Sequence, residues 1–143
     1  MNLLIVEDSL QTLNFLKQII HDLKPDWKIS IASNYDQAIA LLQDSGNFFH
    51  LFILDYELDE GDPSKNGFEL GRMIQSVPQY HQTPIIFETS YPNHVFHILN
   101  NLNCIYYLVK PFRDTDIRSM LSKIECRMAL ALRPACCQRQ QFP

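Results

Sequence analysis

At 143 residues the chain is sized for one domain that buries ~68–70% of its unfolded surface around a single core. Its 12 basic and 16 acidic residues give a net charge of −4 with no Lys/Arg block, which argues against nucleic-acid binding by this segment. No apolar stretch approaches the ~18 residues of a membrane span, and the first apolar run is too short for a signal peptide, so a cytoplasmic location is expected.

In chain order, strand-like and helix-like patterns alternate. The apolar run Leu3 to Val6 reads as a strand and ends on the acidic pair Glu7-Asp8. Leu10, Leu13, Leu16, Ile20 and Leu23 follow at the spacing of one helix face, and Pro25 breaks the pattern. Ile29-Ser30-Ile31-Ala32 reads as a second strand. Asn34, with Gln37 three residues on, forms a helix-capping signal ahead of Ala38, Leu41 and Leu42. The third strand, Leu51 to Leu54, ends on Asp55 and leads into a long polar loop; a helix opens near Gly67 with Leu70, Met73 and Ile74. Pro84 introduces the strand Ile85-Ile86-Phe87, and Val95, Ile98 and Leu99 mark the next helix. Ile105 to Val109 is the last strand, ending on Lys110-Pro111. A final helix from about Asp114 carries Ile117, Met120, Leu121, Ile124 and Met128, so residues 1–130 form the domain and 131–143 a C-terminal tail.

Five strands alternating with five helices predict a parallel α/β sheet built of right-handed βαβ units. In the flavodoxin-like strand order 2-1-3-4-5 the first and third strands are neighbours at the switch point. That order brings Glu7, Asp8 and Asp55 into one crevice, whereas another order would scatter them. Converged carboxylates repel one another, and a hard divalent cation relieves the repulsion: Mg²⁺ takes one or two carboxylates, waters and a phosphate oxygen. Lys110 adds a compact charge suited to a phosphoryl oxygen, and Thr89 a hydroxyl at the same rim. These parts suit phosphoryl transfer, with a carboxylate as acceptor.

Four segments in this order resemble the receiver domain of two-component response regulators: Leu4-Ile5-Val6-Glu7-Asp8, Phe52-Ile53-Leu54-Asp55, Ile86-Phe87-Glu88-Thr89-Ser90 and Tyr107-Leu108-Val109-Lys110-Pro111-Phe112. The resemblance implies that Asp55 is the phosphoacceptor. It implies a metal site of Glu7, Asp8, Asp55 and the backbone carbonyl of Glu57, filled by Mg²⁺ or Mn²⁺. Lys110 and Thr89 would bind the phosphoryl group, and Thr89 with Tyr107 would form the conformational switch. Glu57 and Tyr91, two residues after Asp55 and Thr89, would tune the lifetime of the phosphorylated state. The implied donor is a histidine kinase or histidine phosphotransfer protein. The implied output is a changed surface at the fourth helix, last strand and last helix (about 91–126, including Asn100, Asn101, Arg118 and Lys123), promoting a homodimer or partner docking.

Two departures stand out. The loop from Tyr56 to Asn66 is longer than in most receivers and rich in acid, and Glu88 occupies a strand position that is normally apolar and is expected to face solvent. The alternative readings are a phosphorylation-independent interaction module and an aspartate-nucleophile phosphatase of the haloacid-dehalogenase type. The latter requires Asp-x-Asp after the first strand, and this chain has Asp55-Tyr56-Glu57 after the third. Cys104 and Cys126 are expected to pack, and Cys136-Cys137 to lie exposed in the tail. The five histidines form no triad or metal set by spacing, and His94 and His97 are expected to face solvent.

Overall fold

A computed structural model describes residues 1–102 and 104–131, without the side chains of residues 100, 101, 130 and 131. Expectations for Asn100, Asn101, Cys136 and Cys137 therefore fall outside the described side chains. The elements are β1 (Asn2–Val6), α1 (Leu10–Leu23), β2 (Lys28–Ala32), α2 (Tyr35–Gln43), β3 (Leu51–Asp55), α3 (Gly67–Ser76), β4 (Ile85–Thr89), α4 (His94–Asn101), β5 (Cys104–Val109) and α5 (Asp114–Ala131). All strand pairs are parallel and the order is β2-β1-β3-β4-β5. This is the expected flavodoxin-like arrangement.

Alternate side chains feed two core layers. Leu4, Val6, Phe52, Leu54 and Phe87 pack with Ala38, Leu70, Ile74 and Ile98 on one face. Leu3, Ile5, Leu51, Ile53 and Ile86 pack with Leu13, Leu16, Ile20, Ile117 and Ile124 on the other. Because helices cover both faces, β1 runs unbroken apolar from Leu3 to Val6 and β3 from Leu51 to Leu54, rather than alternating. The helices begin where a short polar side chain satisfies a free backbone donor. Ser9 accepts from the Thr12 N–H at α1, Asn34 from Gln37 at α2, and Asn66 from Glu69 at α3. No helix among the described residues is long and apolar enough to cross a membrane.

Three expectations are corrected. Glu88 does not face solvent: it is fully buried, because β4 is an inner strand covered on both sides to its last residue. Cys126 is exposed rather than packed, whereas Cys104 does pack against the core. His94 is half-buried, its ring stacked on Tyr56 at 4.0 Å; His97 keeps its exposure while stacking on Phe68 at 4.0 Å.

Candidate phosphoacceptor site

The strand register decides which side chains meet. Val6 pairs with Leu54 and Asp55 with Glu88, so the acids following β1 and ending β3 emerge side by side at the C-terminal edge. One carboxylate oxygen each from Glu7, Asp8 and Asp55 lies within 4.8 Å of the others; Glu7 and Asp55 are buried and Asp8 is exposed. Lys110, carried in from β5, points its Nζ between them, 3.1 Å from Glu7 Oε2 and 3.2 Å from Asp55 Oδ1. Glu88 Oε1 stands 3.9 Å from the same nitrogen, making a third acid around one lysine.

Backbone donors and a close chain crossing form the floor of the site. The Ser9 N–H donates to Glu7 Oε1 at 2.9 Å and the Glu57 N–H to Asp55 Oδ1 at 3.1 Å. Behind Asp55, Gly67 runs so close that a Cβ there would lie 1.9 Å from the Asp55 carbonyl oxygen. Only a residue without a side chain fits at that crossing.

Burial and crowding set the charge balance. Burial, then the Glu7 carboxylate, push Asp55 from an ordinary 3.8 up to about 8, against the pull of Lys110. Burial also raises Glu7, opposed by the Ser9 N–H and Lys110. Burial alone would lower the Lys110 ammonium, but the Asp55 and Glu7 carboxylates outweigh it and hold it above its usual value. Both Glu88 oxygens are buried without a hydrogen-bond partner, and Glu7 Oε2 is buried with the Lys110 ammonium as its counter-charge. The residues present fit a hard divalent cation: three close oxygen donors, one of them open to solvent, in a site with more acid than base.

Thr89, fully buried at the end of β4, donates from Oγ1 to Glu57 Oε2 at 2.8 Å, and its oxygen accepts from the Tyr91 N–H at 3.1 Å. The Ser90 N–H donates to the other Glu57 oxygen. His94 Nδ1 lies 3.2 Å from Thr89 Oγ1 and 3.7 Å from Glu57 Oε2. Tyr107 pairs with Phe87 in the sheet and is 42% exposed, and Tyr91 is 53% exposed. A cavity of about 600 Å³ lined by Gln11, Thr12, Phe15, Ser90, Lys110, Pro111 and Phe112 opens beside Lys110.

The strand ends thus bring Glu7, Asp8, Asp55 and Lys110 together, with Thr89 at the rim. Sequence reasoning missed Glu88, His94 and the Ser90 N–H. Glu88 carried a signal, since an inner parallel strand is buried on both faces and its end falls opposite Asp55. Nothing in the spacing marked His94.

A flavodoxin-like sheet holding a cation-compatible acid cluster and a lysine at its switch point defines a class in which the crevice carries the chemistry. The chain belongs to the response regulator receiver domain family, which matches residues 3–122. The cyclic di-GMP phosphodiesterase response regulator RpfG of Xanthomonas campestris pv. campestris is 26% identical over 125 residues, 87% of this chain and 32% of the relative. The chain therefore spans about a third of that relative's length. Among solved structures, the chemotaxis response regulator CheY4 of Vibrio cholerae superposes with a TM-score of 0.73 at 22% identity, covering 86% of this chain and 97% of its own. A CheY-like receiver domain protein of Methanospirillum hungatei JF-1 gives 0.70 at 25% identity, covering 90% and 93%. The Mn²⁺-bound form of response regulator Rcp1 gives 0.68 at 26% identity, covering 87% and 91%.

Proposed function

We propose that this receiver domain is a phosphorylation-dependent signalling switch whose phosphoacceptor is Asp55. The observation that carries the reading is the placement of the Lys110 ammonium 3.2 Å from Asp55 Oδ1, inside a cluster that also holds Glu7 and Asp8. An Asp55 oxygen attacks the phosphorus of a phosphohistidine on a histidine kinase or phosphotransfer protein. The new O–P bond forms as the P–N bond breaks, and the donor ring, already protonated on its other nitrogen, takes the P–N electron pair and leaves as neutral imidazole. The product is an acyl phosphate on Asp55. Lys110 neutralises charge on the transferred group, and the buried walls exclude competing water.

Glu7, Asp8, Asp55 and the carbonyl of Glu57 would hold Mg²⁺ or Mn²⁺; the structural relative Rcp1 has a Mn²⁺-bound form, which supports a divalent ion here. When bound, such an ion supplies charge neutralisation for the acids and the phosphoryl oxygens. Thr89 is the hydroxyl that reads the phosphoryl group, with Tyr107 as its partner in switching. Glu57 and Tyr91 tune the lifetime of the acyl phosphate. The output face is α4, β5 and α5, where exposed Phe96, Leu99 and Tyr107 suit a phosphorylation-promoted homodimer or partner docking in the cytoplasm.

Intact mass after incubation with acetyl phosphate and Mg²⁺ tests the reading. Wild type gains one phosphoryl group and Asp55→Asn gains none. Labelling of the variant at the wild-type rate refutes it.

A further inference from the structure

The donors on the β4 side of the crevice already have an anion. Glu57 follows Asp55 by two residues, and its side chain, 11% exposed, turns back across the crevice to the end of β4. One carboxylate oxygen takes the Thr89 hydroxyl at 2.8 Å and the other takes the Ser90 N–H. His94, the first residue of α4, stands 3.7 Å from the same carboxylate. A hydroxyl proton, a backbone N–H and an imidazole aimed at one carboxylate make an anion-binding corner.

We infer that Glu57 is a built-in occupant of this corner, an intramolecular carboxylate that the phosphoryl group on Asp55 must displace before Thr89 and Ser90 can bind it. The inference rests on Asp55 being the phosphoacceptor. Thr89 has one hydroxyl proton and Ser90 one N–H, and neither serves two anions at full strength. A dianionic phosphoryl group and the Glu57 carboxylate also repel each other at such range. Displacement needs no backbone motion, because the Glu57 N–H stays bonded to Asp55 Oδ1 while the side chain rotates about its own bonds. The freed carboxylate keeps His94 within reach, so occupancy of Asp55 is reported to the start of α4, where His94 also stacks on Tyr56. Glu57 is thus a positioning residue: it holds Thr89 and Ser90 in the unphosphorylated arrangement and sets the affinity for the incoming group.

The test is the affinity of the whole chain for beryllofluoride, a mimic of the phosphoryl group, measured by calorimetry in saturating Mg²⁺. Two variants separate the latch from plain charge. Glu57→Ala removes both carboxylate and reach. Glu57→Asp keeps the charge but is one methylene too short to hold Thr89 and Ser90 together, and its small change protects the fold. Bonds to a charged acceptor are strong enough that their loss from the resting state should tighten binding about ten-fold or more in both variants. Weaker Mg²⁺ binding by Glu57→Ala, from its lost negative charge, would act in the opposite direction, and saturating metal removes it. If Glu57→Ala gains affinity while Glu57→Asp behaves as wild type, general electrostatics explains the effect and the latch is overturned. If wild type binds the mimic and neither variant gains, the latch is likewise overturned while the phosphoacceptor reading stands. If no form binds the mimic, that reading falls and the latch falls with it.

Discussion

Replacing Glu88 with methionine should stabilise the metal-free protein. Both Glu88 oxygens are buried without a hydrogen-bond partner, and the nearest cation, Lys110 Nζ at 3.9 Å, is already closer to Glu7 and Asp55. At an effective dielectric of about 20 a unit pair at that distance attracts by roughly 4 kcal/mol. Glu88 keeps little of that gain, because Lys110 Nζ is already shared with Glu7 at 3.1 Å and Asp55 at 3.2 Å. What remains is the desolvation of an unsatisfied buried polar group, about 1–3 kcal/mol. Methionine has a similar reach and no polar atom to satisfy, so Glu88→Met should gain about 1–2 kcal/mol, near the range found when buried charges give way to apolar residues. At roughly 3 °C per kcal/mol for a chain of this size, Tm should rise by about 3–6 °C. Glu88→Gln keeps polar atoms in the same place and should gain less. Urea unfolding in EDTA at pH 7, with circular dichroism as readout, measures all three proteins. A loss of more than about 1 kcal/mol in Glu88→Met would refute the reasoning and make Glu88 a required counter-ion of Lys110.

The remaining predictions concern protons and backbone. Because Asp55 is raised to about 8 in the folded chain from 3.8, the folded state keeps a proton that the unfolded state has lost between those values. Metal-free stability should therefore fall as pH rises from about 4 to 8, by at most about 1.4 kcal/mol per pH unit. Divalent-cation affinity should rise by about ten-fold from pH 6 to 7 and about five-fold from pH 7 to 8, since the ion and the proton compete for the same carboxylate; calorimetric titration at pH 6, 7 and 8 checks this, and a flat affinity contradicts it. Gly67→Ala should cost about 3 kcal/mol, because its Cβ meets only backbone, at 1.9 Å from the Asp55 oxygen and 2.9 Å from the Tyr56 Cα. Gly71→Ala should cost less, since its closest neighbour, 2.8 Å away, is the tip of the Phe87 ring. Urea midpoints compare the two, and a Gly67→Ala protein as stable as Gly71→Ala would contradict the assignment.

Much of this molecule was determined locally. The helix-spaced faces of α1 and α5, the apolar runs Leu3–Val6 and Leu51–Leu54, and the Asn34 cap each follow from residues within one element, where period and capping chemistry act over a few positions. The location of Asp8, Asp55 and Lys110 at strand ends followed in the same way, and strand order then made them neighbours. Tertiary structure alone decided the rest. Glu88 is buried because β3 and β5 flank its strand and helices cover both sides of the sheet; strand order hints at this, but the residues of β4 alone do not encode it. The union of Glu57 with Thr89, the Ser90 N–H and His94 joins groups 32 to 37 positions apart by chain number, through rotamers that no periodicity specifies. Residue spacing carries the repeat of an element, while such a contact depends on how two elements dock, and that is settled only when the β3–β4 register closes and Asp55 comes to lie opposite Glu88.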